Sequence, residues 1–301
     1  MESWDEMRTA YTVARLGTVS AAAAELGIHR ATVLRHIDSL EASLGARLFQ
    51  RHARGYTPTD AGLDLARVAK TTSEQMEAFA GRMRGRGAEV SGEIVITSVE
   101  VVTPIVVDAL ARFRAAHPGT SVRHVVSPRV LELAYGEAHV AVRAGRKPDH
   151  PDNVVRPYFQ LRSTLFAHES YVERCGLPSD EASLADHHFV TAAEPRAARF
   201  FGWLESVVPA DRIVLRSGNQ RVLREAIQMG MGIGFAPCFE ARRDRQLHQV
   251  LSPREDWEVP FWLVTHVDLH RSAKVRALSE VLRAVAEEEA DAGGLTLPQA
   301  M

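Results

Sequence analysis

The sequence predicts an α/β protein of several domains, in which a helix-turn-helix module is followed by a long linker helix and two α/β lobes. Three observations predict this order. Two short helical patterns flank a glycine between Val19 and Leu44, a long segment with apolar heptad spacing follows, and strands alternate with helices from Gly92 onward. At 301 residues the chain is long enough for two or three domains of about 100–200 residues each.

The composition is typical of a globular protein that dissolves in water. The hydrophobic fraction is 46%, the charged fraction is 25% and the net charge is −2. No apolar run approaches the ~20 residues that span a bilayer, and the acidic N-terminus lacks the features of a secretory signal. We therefore expect a cytoplasmic protein with no membrane partner. Neither Cys175 nor Cys238 lies in a cluster of metal-ligand spacing, so no metal and no cofactor are expected.

The segment from Val19 to Leu44 predicts two helices joined by a tight turn. Ser20 is of a residue type that caps helix starts, and Gly27 permits a sharp turn. The second helix is expected from Arg30 to Leu44. Its apolar residues recur at spacings of four and three and predict one buried stripe: Val33, Ile37, Leu40 and Leu44.

The opposite face of this second helix carries Ala31, Arg35 and Asp38. The major groove of DNA admits one helix, and guanidinium groups suit phosphates and guanine edges. A helix, a turn and a second helix with an arginine-bearing outer face therefore favour DNA recognition. An ordinary helical hairpin is the alternative that this stretch alone leaves open.

The residues that follow carry a set of spaced matches: Leu40, Glu41, Leu44, Gly45, Leu48, Phe49, Arg51, Thr59 and Gly62. This pattern resembles the winged helix-turn-helix signature of the LysR-type transcriptional regulators. The resemblance implies a DNA-binding domain over residues 1–59. Segments Arg47–Gln50 and Gly55–Thr57 are expected to form a hairpin whose basic tip, the wing at residues 51–54, contacts backbone phosphate.

The predicted DNA-binding residues lie at the start of the first of these two helices, in the turn, on the second helix and in the wing: Ser20, His29, Arg30, Ala31, Thr32, Leu34, Arg35, His36, Arg51, His52 and Arg54. The family usually has Gln near the start of this helix and Ser four residues later, where this chain has Arg30 and Leu34. Arg30 suits guanine and Leu34 suits a thymine methyl, so an altered base preference is expected. The other polar positions are either contacts or solvated residues, and both alternatives stay open.

Residues 60–88 predict a linker helix that mediates dimerisation. Thr59 is the expected N-cap, and the helix should run to about Arg86, with a hinge near Gly85. Six positions at spacings of four and three form the expected seam: Leu65, Ala69, Thr72, Met76, Phe79 and Met83. Packing on its own domain is the alternative, but the resemblance places a dimerising helix here. A dimer or tetramer would read a pseudo-palindromic site in double-stranded DNA.

Residues 89–289 predict two α/β lobes. Expected strands at Glu93–Ser98, Ser121–Val126 and His139–Gly145, with a helix that ends at Pro118, indicate a parallel sheet with crossover helices. The region also resembles the family's effector-binding domain, a bilobed fold similar to periplasmic binding proteins. The matching residues are Gly92, Ile94, Ile96, Phe113, His117, Pro118, Gly119 and Met229–Pro237. Lobe I is expected at about 92–158 and 266–289, lobe II at about 159–265, and a flexible tail at 290–301.

The candidate effector-binding residues follow the predicted strands, because open α/β sheets bind ligands at the carboxyl ends of their strands. In a two-lobed protein this crevice lies between the lobes. The candidates are Ser98, Val99, Glu100, Thr103, Ser127, Pro128, Arg143, Gly145, Thr191, Ala192, Gly218 and Asn219. Hydroxyls, helix N–H groups and Arg143 suit a carboxylate or another anion.

Three alternatives for this site stay open. A buried Glu100 would compete with an anion, which would favour a neutral or amine-bearing effector. The Ser, Thr and Asn candidates are equally suited to cap helices. Arg143 is equally suited to an internal ion pair.

We therefore predict a sequence-specific DNA-binding transcriptional regulator whose activity a small-molecule effector modulates from the interlobe cleft. The alternative is an α/β ligand-binding protein or enzyme that uses the N-terminal module only for assembly. We expect no enzyme, because no G-x-S-x-G, H-E-x-x-H or G-x-x-x-x-G-K motif occurs. The glycine-rich stretch Met229–Pro237 lacks the G-x-G-x-x-G order of a dinucleotide loop and suits close packing and turning.

Overall fold

The structure, a computed structural model, describes residues 4–52, 55–83, 90–127, 138–194 and 198–298. The chain divides into two compact units, one formed mainly by residues up to Val90 and the other mainly by residues from Ser91 onward. In the described part of the chain, no helix combines the length and hydrophobicity that a bilayer crossing needs. The elements of the first unit are α1 Trp4–Leu16, α2 Val19–Leu26, α3 Arg30–Leu44, β1 Phe49–His52, β2 Gly55–Pro58 and α4 Asp60–Met83.

Helix α2 begins two residues earlier than a cap at Ser20 would place it. Its N-cap is Thr18, which has an extended backbone and whose Oγ1 accepts the Ala21 N–H at 3.2 Å. Val19 is buried and helical, so Ser20 falls in the first turn, where its side chain is exposed. The prediction that Ser20 caps this helix is therefore wrong. At the other end Gly27 has φ 67°, which confirms its role in the turn.

Helix α3 has the predicted bounds and buries most of the predicted stripe. Val33, Ile37 and Leu40 are fully buried in the core of the first unit. Leu44 is 43% exposed, so its inclusion in the stripe is wrong. The chain turns at Gly45, where φ is 64°, and the buried side chains after that turn, Leu48 and Phe49, fill the core instead.

The hairpin is real, but its strands are placed differently from the prediction. Strand β1 pairs antiparallel with β2, from Phe49 opposite Pro58 to His52 opposite Gly55. Arg51 and His52 therefore belong to β1 and do not form the tip, because this register carries the ladder up to His52. The remaining predicted tip residues, 53 and 54, lie outside the described residues.

Helix α4 starts where the sequence predicted. The Gly62 N–H donates to Thr59 Oγ1 at 3.2 Å, which confirms Thr59 as the N-cap. Leu65 and Ala69 are buried with the first unit, whereas Met76 is 49% exposed. The predicted hinge near Gly85 and the side chains of Phe79 and Met83 lie outside the described residues, so the dimerisation seam stays a prediction.

The second unit contains most of the strands. Its helices are α5 Thr103–Ala116, α6 Glu169–Cys175, α7 Arg199–Val207, α8 Gln220–Gln228, α9 Cys238–Ala241 and α10 Ala273–Asp291. Its strands are β3 Gly92–Ser98, β4 Thr120–Val126, β5 Val140–Ala144, β6 Asn153–Leu161, β7 Ser163–His168, β8 Phe189–Ala192, β9 Ile213–Ser217, β10 Gly234–Pro237, β11 Leu247–Gln249, β12 Val259–His266 and β13 Leu295–Thr296.

These strands form two lobes. Lobe I contains a six-stranded sheet in the order β13-β6-β12-β5-β3-β4. Its β3 is parallel to β4 and β5, as predicted, but β12 and β13 pair antiparallel, so the sheet is mixed. Lobe II contains the sheet β10-β7-β11 and the parallel pair β8-β9, which an isolated bridge between Phe189 and Ile233 joins. Its core is rich in aromatic side chains, including Phe189, Phe235 and Trp257.

Two predicted boundaries in this unit are wrong. Strand β12 pairs with β5, with Leu263 opposite Val142, so the chain returns to lobe I before Val259 and not at residue 266. The expected flexible tail contains β13, in which Leu295 lies opposite Leu161 and is 3% exposed. Gly293, at φ 80°, turns the chain after α10 toward the sheet.

Candidate DNA interface and effector cleft

The outer face of α3 presents arginines to solvent. Arg30 opens the helix, Arg35 follows about one and a half turns later, and both are exposed, as are His29 and Ala31. In the described part of the chain, neither of these two arginines has an ion-pair partner. Two exposed guanidinium groups on this helix are thus available to phosphates or base edges.

Other predicted contacts on this helix also serve the domain itself. Thr32 and Leu34 are half-buried, and Leu34 packs against the core of the first unit. His36 Nδ1 lies 2.9 Å from Thr9 Oγ1 on α1. These three residues lie between the exposed face and the core, so their side chains are less accessible than those of the arginines.

The wing arginine is held by carboxylates. Arg51 Nη2 lies 2.5 Å from Asp38 Oδ1 and 3.3 Å from Glu41 Oε2, and its guanidinium carbon lies 5.6 Å from the centre of the Tyr56 ring. His52 Nε2 lies 2.8 Å from Thr57 Oγ1. Arg54 lies outside the described residues. In this arrangement Arg51 joins the hairpin to α3.

Glu41 is the centre of this junction, a role that was not predicted from the sequence. Its side chain is 5% exposed, and its Oε1 accepts the Leu48 and Phe49 N–H groups at 2.8 and 3.2 Å. Its Oε2 accepts Arg47 Nη1 at 2.8 Å. A charged residue next to Leu40 at the edge of the apolar stripe was the signal available in the sequence.

The environment of Glu41 favours its charged form. Burial alone would raise the pKa of the carboxyl, but the hydrogen bonds from Leu48, Arg47 and Phe49 and the nearby charge of Arg51 outweigh it. The pKa of Glu41 is therefore below its usual value. An ionised carboxylate on α3 therefore holds this helix and the hairpin together.

The candidate effector residues of lobe I collect at one edge of the sheet. Ser98 at the end of β3 lies opposite Val126 on β4 and Val142 on β5, and the Ser127 N–H donates to the Ser98 carbonyl at 3.0 Å. Arg143 is the next residue of β5 after Val142, one position beyond the ends of β3 and β4. Val99, Glu100 and Thr103 lead into α5, and Gly145 ends the β5 segment with φ 86°. Pro128 lies outside the described residues.

Glu100 is exposed, contrary to the expectation of a buried competitor for anions. It lies in a short 3₁₀ turn before α5, where its carboxylate raises the pKa of Glu240 slightly by repulsion, after the larger effect of Glu240's own burial. No ion pair joins Glu100 to Arg143 among the described residues. An exposed Glu100 does not compete with an anion in the way that a buried glutamate would.

Ser98 and Arg143 have different partners. Ser98 Oγ lies 2.9 Å from His124 Nε2, and burial lowers the pKa of His124, which favours the neutral ring. Arg143 Nη2 lies 3.4 Å from Thr97 Oγ1, a residue that the sequence analysis did not include. Within the described residues Arg143 has no carboxylate partner, so its alternative as half of an internal ion pair is wrong.

Lobe II supplies candidates at the ends of β8 and β9. Thr191 and Ala192 are buried and lie opposite Arg216 and Ser217. Gly218 and Asn219 are exposed, and Asn219 Oδ1 accepts the Arg221 N–H at 2.9 Å. Asn219 is therefore the N-cap of α8, which is the capping role that stayed open as the alternative to effector binding.

The two lobes approach each other at the start of α5. A cavity of about 190 Å³ is lined by Pro104 from lobe I and by lobe II residues that include Arg224, Ile227 and Glu240. The first turn of α5 therefore faces lobe II.

The glycine-rich stretch serves turning and close packing, as predicted. Gly230 has φ 66°, and a Cβ on Gly232 would lie 2.9 Å from the His188 carbonyl oxygen. A Cβ on Gly234 would lie 2.8 Å from side-chain atoms of Ile227 and Val190. These contacts explain the glycines without a nucleotide.

A helix-turn-helix with free arginines and a two-lobed α/β domain define the class of ligand-responsive DNA-binding proteins. Residues 4–63 match the model of the bacterial regulatory helix-turn-helix proteins of the lysR family, and residues 87–287 match the model of the LysR substrate binding domain. The chain belongs to the LysR family: it is a DNA-binding transcriptional regulator with an effector-binding domain.

Individual relatives agree with this assignment. The probable HTH-type transcriptional regulator LtrA of Klebsiella pneumoniae is 25% identical over 278 residues, which cover 88% of this chain and 89% of that protein. Full-length OxyR from Pseudomonas aeruginosa, solved as a single-site variant, shares the fold with a TM-score of 0.69 at 15% identity, covering 100% and 99% of the two chains. Full-length CbnR, solved in complex with its target DNA, has a TM-score of 0.56 at 20% identity and covers 94% and 99%.

Proposed function

We propose that this regulator reads a pseudo-palindromic promoter site with helix α3 and that a small molecule bound between the two lobes modulates its activity. The observation that carries the DNA proposal is the contrast between the two sides of α3. Val33 and Ile37 are fully buried, whereas Arg30 and Arg35 are exposed and have no ion-pair partner within the described residues. A major-groove helix needs this division, because one side must be fixed while the other meets the bases.

Within this arrangement the arginines have different roles. Arg30 lies at the N-terminal end of α3, the part of a recognition helix that meets base edges, and its fork of donors suits guanine. Arg35, His29 and the wing residue Arg54 would contact phosphates and orient the module. Arg51 is a positioning residue in this proposal, because Asp38 and Glu41 already bind its guanidinium.

The remaining domain organisation follows as part of the same proposal. Residues 1–59 would form the DNA-binding domain, 60–88 the dimerising linker and 89–289 the effector domain. Two linker helices from two copies would join the modules into a dimer, as a pseudo-palindrome requires, and the assembly would be this dimer or a tetramer built from two of them. The similarity to CbnR, which was solved in complex with its target DNA, supports the DNA-binding part of this proposal. We propose that the protein acts in the cytoplasm and has no catalytic activity.

Selection from a random duplex library, followed by fluorescence anisotropy on the enriched sequence, tests the DNA proposal. The wild-type full chain should enrich a pseudo-palindrome and bind it with strong salt dependence. Arg30→Ala should weaken binding about 5- to 150-fold, from about 1–3 kcal/mol, and relax selectivity at one base pair in each half-site. Arg35→Ala should weaken binding to every sequence and reduce the salt slope by about one.

Arg8 provides the matched control, because it is an exposed arginine on α1 of the same unit. Arg8→Ala should leave both affinity and selectivity unchanged. Equal losses for Arg8→Ala and Arg30→Ala would show that only net charge matters. Unchanged binding by an Arg30→Ala, Arg35→Ala double variant would remove α3 as the reading element and favour the alternative that the N-terminal module serves assembly.

A further inference from the structure

We infer that the effector of this protein is a small monocarboxylate and that Arg143 is the group that binds its charge. The inference rests on the proposed function, because it takes the interlobe cleft as the effector site. It adds the chemical class of the ligand and the residue that selects it.

Arg143 is the only buried lysine or arginine among the residues that the structure describes, at 8% exposure. Its Nη1 is buried and has no hydrogen-bond partner within that part of the chain. Its Nη2 meets only Thr97 Oγ1, at 3.4 Å, which is long for a hydrogen bond. An arginine side chain stays protonated in a protein, so this position holds a desolvated positive charge with almost no compensation.

Other arginines of the same unit show that carboxylate partners are available in this chain. Arg112 pairs with Asp108 and Glu288, Arg254 with Glu181, and Arg243 with Glu289. These arginines are all more exposed than Arg143 and would need partners less. The missing counter-charge at Arg143 is therefore a local feature, and a ligand anion would supply it.

Two further polar atoms without partners lie at corresponding strand ends. Thr103 Oγ1, at the start of α5, and Thr191 Oγ1, near the end of β8, are both buried and lack a hydrogen-bond partner among the described residues. Buried polar groups are normally hydrogen-bonded, so each such atom calls for an explanation. Each of these hydroxyls, like the guanidinium of Arg143, has a donor that a carboxylate oxygen can accept.

The position of these groups fits a ligand site. Arg143 lies in β5 one residue beyond the level at which β3 and β4 end, and Thr103 opens the helix that follows β3. The neighbouring residue Pro104 lines a cavity with lobe II residues, so this turn of α5 faces the other lobe. Ligands of α/β sheets bind at this edge, where strand ends and helix starts converge.

The count of charges limits the ligand to one negative charge. Arg143 has no ion-pair partner among the described residues, and Glu240, a half-buried carboxylate that lines the cavity, already pairs with Arg224. A dicarboxylate would bury a second charge without a partner, and an amide would leave the guanidinium charge uncompensated. Monocarboxylates are therefore expected to bind better than either.

Matched probes test the charge directly. Thermal unfolding and calorimetric titration of the full chain would compare benzoate with benzamide and phthalate, and isobutyrate with isobutyramide and succinate. At least one monocarboxylate should raise the Tm in a saturable manner and bind at least tenfold more tightly than its amide and its dicarboxylate. Equal shifts for acid and amide, or no saturable shift from either acid, would overturn the proposal.

Substitution of Arg143 gives a second readout that does not depend on the choice of probe. Arg143→Met removes an uncompensated buried charge, so it should raise the Tm of the ligand-free protein. Both Arg143→Met and Arg143→Gln should weaken carboxylate binding at least tenfold. A lower ligand-free Tm for Arg143→Met would show that the guanidinium is already satisfied, for example by water, and would overturn the proposal.

Arg123 provides the control, because it lies on β4 of the same sheet, half-exposed and paired with Glu93. Arg123→Met should leave carboxylate binding unchanged. Anisotropy on the selected duplex separates this proposal from the proposed function. If the wild type binds DNA but no carboxylate, only the ligand class fails; if it binds carboxylate through Arg143 but no DNA, the regulator proposal fails and this one stands.

Discussion

The two units of this protein each bury a charged side chain, and they treat it in opposite ways. Glu41 in the first unit receives two backbone N–H groups and contacts from Arg47 and Arg51. Arg143 in the second unit has one long contact and a nitrogen with no partner among the described residues. Both side chains are less than a tenth exposed.

The presence or absence of partners separates buried charges that stabilise the fold from buried charges that bind a ligand. A buried charge whose partners are all in the chain stabilises one arrangement of the fold, here α3 against the wing. A buried charge with missing partners destabilises the fold unless something outside the chain completes it. Whether a buried charge has partners within the chain thus says more about its role than its burial does.

The largest expected effect is the loss of the Glu41 carboxylate. Glu41→Ala leaves the Leu48 and Phe49 N–H groups and two arginines without their acceptor. The free energy of unfolding of the first unit should fall by about 3–5 kcal/mol, as expected when one partner of a buried ion pair is removed. Denaturant titration of the full chain, followed by Trp4 fluorescence in a variant without the other three tryptophans, would measure it.

A loss of less than about 1 kcal/mol for Glu41→Ala, which is typical of an exposed ion pair, would contradict the role of Glu41 as a buried stabilising charge. Asp38→Asn is the control, because Asp38 binds the same Arg51 but its side chain is 57% exposed.

A smaller effect is expected from the close approach of α4 to the same junction. A Cβ on Gly62 would lie 2.1 Å from the Leu48 carbonyl oxygen, next to the N–H that Glu41 binds. Gly62→Ala should therefore force α4 away and cost about 1–3 kcal/mol, by the same denaturant titration. Gly202→Ala, in a helix with open space at this position, should not destabilise the protein. Equal outcomes for the two would show that α4 tolerates the displacement.

A cap substitution tests a polar group that is satisfied at the surface. Thr18→Ala removes the acceptor for the Ala21 N–H and should cost about 1 kcal/mol. Ser20→Ala, two residues later on the exposed side of the first turn, should change stability by less than about 0.5 kcal/mol. A larger loss for Ser20→Ala would restore Ser20 as the cap and contradict the structure.

The smallest expected effect is a pH dependence. Because the pKa of Glu41 in the folded state is below its usual 4.5, its ionised form stabilises the protein above that pH. This contribution is lost as the pH falls through the lower folded-state pKa. The difference in unfolding free energy between wild type and Glu41→Gln should therefore shrink as the pH falls below 4.5. A difference that stays constant with pH would show that Glu41 acts only by its size.

The sequence predicted what depends on local patterns. The bounds of α3, the turn at Gly27 and the cap at Thr59 follow from apolar spacing, glycine and hydroxyl chemistry within a few residues. Strand β6 was not predicted, because Arg156 and Pro157 interrupt its pattern. Strand β13 was not predicted, because its two residues are ordered by their pairing with β6 and not by any propensity of their own.

The site residues that were predicted are likewise those that depend on local patterns. Sequence reasoning selected Arg35 because the helical period assigns it to the outer face, and Arg30 because the resemblance to the family marks its position near the start of the helix. It selected Arg51 as a DNA contact because the resemblance marks that position and because its charge is basic. The pairing of Arg51 with Asp38 could not be predicted, since the two are brought together only when the hairpin folds onto α3. The isolation of Arg143 was equally unpredictable, because it depends on which carboxylates fail to reach it.

Strand β13 also affects how this protein should be handled in the laboratory. It forms the last strand of the lobe I sheet and covers the outer side of β6. A shortened version that stops at Asp291 would leave the backbone groups of β6 open to pairing with a neighbouring molecule, which promotes aggregation. Affinity tags and reporter fusions are therefore better attached beyond Leu297, through a linker that leaves this strand in place.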